Sequence, residues 1–146
     1  MNTQPLSTFL TVADANAAIA FYTNVLGAKE KYRMTEPSGR VGHAELDFDG
    51  MTLMIADEYP ELNLRAPQPG SGFSTSLHLQ VDNADAVIER AVQQGATLER
   101  PPVDQFFGER TGTIIDPFGH RWLIGHHIED VSREEVQRRY EKLINE

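Results

Sequence analysis

The chain reads as an α+β protein, with two tandem β-α-β-β-β modules in curved, barrel-like sheets and a helix appended near the C-terminal end. Three observations predict this. The halves repeat: laying Val12 on Val81 brings Ile19 onto Ile88 and, with one gap, Gly27-Ala28 onto Gly95-Ala96, a period of about 69 residues. Each half opens with an alternating strand pattern, continues into a capped helical stripe and closes with short strands divided by turn signals. The strand residues also sort into one apolar set and one mixed polar set, as expected of sheets covered on one side.

Taken in order, Leu6–Val12 alternates and is rich in β-formers, which predicts a strand. Asp14 is an N-cap for a helix over Ala15–Leu26, with Ala18, Ile19, Tyr22, Val25 and Leu26 at helical spacing and Gly27 where a left-handed cap belongs. Strands follow at Lys29–Met34, Val41–Phe48 and Met51–Ala56, the last two joined by Asp49-Gly50, a strong hairpin signal. The stretch Glu58–Phe73, with Pro60, Pro67 and Pro69 and glycines at 70 and 72, reads as a linker. The second copy predicts a strand at Ser76–Val81 and a helix capped by Asp82 or Asn83 that runs through Gln94. Its remaining strands fall near Thr97–Pro101, Thr111–Ile115 and Arg121–Gly125. Ser132-Arg133-Glu134-Glu135 then resembles a capping box opening a helix with Val136, Tyr140, Leu143 and Ile144 on one stripe. The expected organisation is a single domain over 1–146: module one at about 5–57, a linker at 58–73, module two at about 74–128 and a tail helix at about 132–145. The tail helix could pack on its own sheet or on a second subunit.

Composition narrows the function. Thirteen Lys+Arg against 22 Asp+Glu leave a net charge of −9, which disfavours nucleic acid and anionic membrane as partners. No apolar run approaches the roughly 18 residues of a membrane helix, and the N-terminal residues resemble no secretory signal, so a cytoplasmic protein is expected. With no cysteine, thiolate zinc sites, disulfides and cysteine nucleophiles are excluded. No phosphate loop, dinucleotide fingerprint or G-x-S-x-G is present.

The mixed sheet face carries the candidate chemistry. It collects Ser7, Phe9, Thr11, His43, Glu45, Asp47, Thr52, Met54, Ser76, His78, Gln80, Arg121 and Leu123. Unpaired charges in a dry core cost several kcal/mol each, so this face is expected to meet solvent or a cleft. His43 and His78 have the intrinsic proton affinity of acid–base groups and Glu45 could orient either one. Phe9 and Gln80 are candidate ligand contacts on the same face. Arg110 and Arg121 either bind an anionic ligand group in forked geometry or pair with surface acids. Phe106, Phe107 and Trp122 belong either to the core or to a pocket or subunit contact. His126 and His127 are adjacent, point to opposite sides and read as surface residues.

Tandem modules of this kind resemble the vicinal oxygen chelate superfamily of glyoxalases, bleomycin-resistance proteins, fosfomycin-resistance enzymes and extradiol dioxygenases. Phe21-Tyr22-Thr23-Asn24-Val25-Leu26-Gly27 is similar to the family's F-Y-x-x-x-L-G helix end, and Asp116-Pro117-Phe118-Gly119-His120 to its D-P-x-G-H turn. Arg110-Thr111-Gly112, Gly42-His43-Ala44-Glu45 and Asp57-Glu58-Tyr59-Pro60 resemble the PhnB-like branch. In metal-dependent members, His, Gln or Glu at one position on the first and last strand of each module hold a divalent ion. Those positions correspond here to Ser7, Met54, Ser76 and Leu123, a poor set for a hard cation.

The resemblance therefore implies a metal-free, cofactor-free protein that binds a small organic ligand, such as an antibiotic, in the cleft of a homodimer. A second reading is a metal-independent isomerase or lyase using His43, Glu45 and His78. A third is a divalent-metal lyase or dioxygenase in which those same three residues become ligands.

Overall fold

The structure is a computed structural model and describes residues 5–146. The chain forms two compact units, Met1–Gly72 with Pro117–Gly119, and Phe73–Asp116 with His120–Glu146. In the first, β1 (Thr8–Val12), α1 (Ala15–Asn24), β2 (Lys29–Thr35), β3 (Val41–Phe48) and β4 (Met51–Asp57) build a four-stranded sheet of order β1-β4-β3-β2. In the second, β5 (Ser76–Gln80), α2 (Ala84–Gln93), β6 (Thr97–Asp104), β7 (Glu109–Ile115) and β8 (Arg121–His127) repeat the order as β5-β8-β7-β6. A third helix, α3 (Arg133–Ile144), follows. Each sheet is mixed: the first strand pairs in parallel with the last, and the other pairs are antiparallel.

The two crossover helices follow from the same local chemistry. Asp14 accepts from Ala17 N at 3.1 Å and Asn83 from Ala86 N at 3.1 Å, each satisfying an orphan amide of its helix. At the far ends, Ala28 N donates to Tyr22 O and Ala96 N to Ala91 O, both at 3.0 Å. Gly27 and Gly95 adopt positive φ of 82° and 107° to permit these closures. The F-Y-x-x-x-L-G motif is therefore a helix terminus, and its Tyr22 is fully buried.

The apolar set covers the helix side of each sheet. Leu10, Val12, Ala44, Leu46, Leu53 and Ile55 are buried in the first unit, and Ile114, Trp122 and Ile124 in the second. Burying a side chain of this size contributes roughly 1.5–3 kcal/mol. In the second unit the helix approaches so closely that a Cβ on Gly112 would lie 2.5 Å from Ile88 Cδ1 and 3.0 Å from Pro102 N. A side chain there would have to displace Ile88 Cδ1 and crowd the backbone of β6.

The outer strands β2 and β6 are exposed edges. Register shifts in both, the charges Lys29, Glu30, Lys31 and Arg33, and the pair Pro101-Pro102 discourage pairing with another chain. β6 runs to Asp104, three residues past the expected end, because its irregular pairing tolerates the two prolines. Glu58–Gly72 groups with the first unit and contains a 3₁₀ turn at Pro60–Leu62 with a bridge between Tyr59 and Leu64. Residues 117–119 of the D-P-x-G-H turn also belong there, and the Phe118 ring meets Phe21 and Tyr22 edge-on at 6.1 Å.

The tail helix packs on its own unit. Phe106 stacks on Tyr140 at 5.9 Å, and Arg139 Nη1 donates to Phe106 O at 2.9 Å. Leu143 and Ile144 of the same stripe stay exposed.

Candidate functional site

Strand register assembles the polar face of the first unit. Phe9 lies opposite Met54, Met54 opposite Glu45, and Glu45 opposite Tyr32, giving one row across all four strands. His43 stands two residues from Glu45 on the same side of β3. Glu45 Oε2 accepts from Tyr32 Oη at 2.8 Å and contacts His43 Nε2 at 3.0 Å, while Lys31 Nζ lies 3.9 Å from Oε1. The His43 ring is flanked by Phe9 at 5.3 Å and Tyr32 at 5.8 Å. These bonds, led by that from His43 and followed by that from Tyr32, hold the Glu45 carboxyl below the usual carboxylate range. The same contact pushes the Tyr32 hydroxyl up, because ionising it beside Glu45 would place two anions together. The result is a carboxylate–imidazole pair on a partly covered, aromatic-walled sheet surface.

In the second unit the corresponding row is His78, Leu123, Thr113 and Arg100. His78 occupies the place of Phe9, and Thr113 that of Glu45. The carboxylate comes instead from Glu109, whose Oε2 lies 3.6 Å from His78 Nε2 and whose Oε1 accepts from the Gln80 carboxamide. Arg121 joins this face through Glu99 Oε2 and Ser76 Oγ, each at 2.8 Å.

The remaining sequence candidates lie elsewhere in the second unit. Arg110 forks onto Asp85 of α2 at 2.7 and 2.9 Å and reaches Asp104 at 3.0 Å. It therefore belongs to the helix side of the sheet, two residues from Gly112. Trp122 is buried, with its indole N–H on Asp116 Oδ2 at 2.8 Å. Phe106 and Phe107 meet edge-on at 5.2 Å beside the tail helix. His127 pairs with Asp130 at the surface. His126 corrects the surface reading: its Nδ1 accepts from Ala84 N at 2.9 Å, closing the first turn of α2. The equivalent of this bond in the first unit is made by Asp57, which accepts from Ala15 N at 2.7 Å and from Val41 N at 2.6 Å.

Tyr32, Lys31 and Glu109 were missed by sequence reasoning. Tyr32 meets Glu45 only because β2 shifts register between Glu30 and Tyr32, and a bulge of this kind leaves no clear residue signature. Glu109 was legible only as a charge preceding the expected strand start.

The metal positions suggested by the resemblance do not fit a divalent ion. Met54 supplies a thioether and Leu123 no donor atom, which leaves two serine hydroxyls, Ser7 and Ser76. Among the described residues, no group of three or more His, Asp or Glu side chains is placed to hold a metal.

A tandem β-α-β-β-β chain with polar sheet faces and the F-Y-x-x-x-L-G and D-P-x-G-H motifs defines a glyoxalase-type fold. The sequence model of the Glyoxalase/Bleomycin resistance protein/Dioxygenase superfamily matches residues 4–124, and the chain belongs to this family. It is 37% identical over 141 residues to the uncharacterized protein Rv0887c of Mycobacterium tuberculosis, covering 94% of this chain and 83% of that one. Among solved structures, it is similar to the PhnB protein of Bacillus cereus, with TM-score 0.65 and 21% identity over 84% of this chain and 99% of that one. It is also similar to the fosfomycin resistance protein FosX of Listeria monocytogenes, solved with Mn(II) and sulfate. The TM-score there is 0.67, with 17% identity over 92% of this chain and 98% of that one. No helix among the described residues is long and apolar enough to cross a membrane.

Proposed function

We propose that the protein binds a small organic molecule on the polar sheet face, without metal or other cofactor, in a site completed by a second copy of the chain. The observation that carries this is the row Phe9, Met54, Glu45 and Tyr32 with His43 between two aromatic rings. Such a surface offers apolar contact area beside a few fixed polar atoms, the usual composition of a small-molecule site. The poor donor set at Ser7, Met54, Ser76 and Leu123 supports a metal-free mode. The cytoplasm remains the expected compartment. The test is a thermal-shift screen of a defined compound library, with hits mapped by amide and ring NMR shifts. Shifts should centre on Phe9, Tyr32, His43 and Glu45, and Phe9→Ala with His43→Ala should abolish them. Hits that map consistently to other surfaces refute the proposal.

The dimer is tested separately. Sedimentation at micromolar protein should give about twice the monomer mass, with the exposed Leu143 and Ile144 of α3 as support for a covered face. A monomer at high concentration refutes it.

One observation favours a second reading as a proton-transfer enzyme. The Glu45 carboxylate orients His43 through Nε2, an arrangement suited to a general base. In that case a hit should be converted, and Glu45→Gln should slow conversion more than it weakens binding.

A further inference from the structure

Arg110 and Arg121, the arginines that the sequence offers to an anionic ligand, are both paired. Arg110 is held by Asp85 and Asp104, and Arg121 by Glu99 and Ser76. Arg100 is not. It takes the last place in the polar row of the second unit, opposite Thr113. Its side chain is exposed and makes no hydrogen bond or ion pair among the described residues. Carboxylates are not scarce, since the chain has 22 Asp+Glu for 13 Lys+Arg. Arg65 and Arg133 lack a partner too, but neither belongs to a strand.

A bulge puts Arg100 in that place. Leu98 pairs with Ile114 and Arg100 with Thr113, so Glu99 is the extra residue on β6. An unshifted strand would set Glu99 opposite Thr113 and turn Arg100 to the helix side. The shift therefore exchanges an acid for a base at the end of the row, and Glu99 reaches Arg121 at 2.8 Å instead. The mount is stiff. Pro101 and Pro102 follow, and the first restricts the backbone of Arg100 to extended conformations. Arg100 O and Pro102 N also lie only 3.1 and 3.0 Å from where a Cβ on Gly112 would stand, so this segment is held tightly against β7. Between Arg100 and His78 the floor of the row is half-buried Leu123 and buried Thr113, both of which carry methyl groups. Three strand spacings make the row about 14 Å long, enough for a flat ring and one charged group. Glu109, 3.6 Å from His78, makes that end the wrong one for an anion.

We propose that the polar face of the second unit is a separate subsite for a flat aromatic carboxylate, with the carboxylate on the Arg100 guanidinium and the ring over Leu123 and Thr113. The planar guanidinium offers paired donors that match a carboxylate. This site is read at residues other than those of the first-unit row, so either reading can fail without the other.

Benzoate and benzamide test it, because they share a ring and a shape and differ in charge. In NMR titrations of the full chain, read at Arg100 Nε–H and the methyls of Leu123 and Thr113, benzoate should bind about fivefold more tightly than benzamide. Salt at about 0.5 M should erase most of that preference by screening the exposed pair. Arg100→Gln should bring the ratio to about one while leaving benzamide affinity unchanged, which also shows that the face is intact. Arg65→Gln, with the same loss of charge off the sheet, should keep the preference. The inference is overturned if millimolar benzoate shifts none of the three groups, or if benzamide binds as tightly. It is equally overturned if Arg121→Gln, and not Arg100→Gln, removes the preference.

Discussion

Replacing Asp57 by Ala removes one carboxylate that ties three elements of the first unit together. Its Oδ1 accepts from Ala15 N at the start of α1, and its Oδ2 from Val41 N at the start of β3, while the residue itself ends β4. Each bond from a backbone amide to a charged acceptor contributes about 1.5–3 kcal/mol. The site is only part-buried, so the lower end applies, and losing both bonds should cost about 3 kcal/mol. Against a total stability of roughly 5–15 kcal/mol this is a large share. At about 4 °C per kcal/mol for a chain of this size, the midpoint should fall by ~12 °C. Asn in place of Asp keeps one acceptor but turns an N–H₂ toward the other amide, so it should recover less than half the loss. Urea unfolding followed by far-UV circular dichroism measures the total. Amide hydrogen exchange then locates it: α1 amides should lose protection while those of α2, whose first turn is closed by His126, keep theirs. A loss under about 0.5 kcal/mol, or equal loss of protection in both helices, would refute the assignment of Asp57 as the clasp.

Three further outcomes follow from the same geometry. Gly112→Ala should destabilise by about 1–3 kcal/mol through overpacking against Ile88 Cδ1. Ile88→Val, which lacks that carbon, should make the double variant less unstable than the sum of the two, as a denaturation cycle will show. His126→Ala should cost about 1 kcal/mol and speed exchange in the first turn of α2, because Ala84 N loses its acceptor. Hydrogen bonds from Arg138 first, and then from Arg139, hold the Glu135 carboxyl down at about 2. A folded value below the ordinary one of ~4.3 gives stability that is present above that value and lost as the pH falls toward about 2. The helical signal of α3 should fade over that acidic window, and Glu135→Gln should remove this phase.

Much of the architecture was determined by local chemistry alone. Asp14 and Asn83 cap their helices, Gly27 and Gly95 end them, and Val41–Phe48 is a strand over the expected residues. Signals of this kind involve residues a few positions apart and survive in the sequence whatever the rest of the chain does. The period of about 69 residues carried the repeated topology, because equal spacing of helices and turns forces equal strand order. Alternation also separated the apolar face from the polar one, since the side-chain period of a strand is fixed.

Only the tertiary structure decided which polar residues meet. His43 and Glu45 were readable as neighbours on one strand. Tyr32 reaches them through a register shift, and Glu109 reaches Gln80 and His78 from a strand 29 residues after Gln80. Arg110 pairs with Asp85 of α2, on the helix side of its sheet, because strand alternation puts it on the same side as Gly112. His126 became a helix clasp, and Trp122 a buried partner of Asp116. A hydrogen bond depends on atoms placed to within a few tenths of an ångström. Composition and periodicity place a residue on a face, but register, bulges and helix docking settle which atoms come together there.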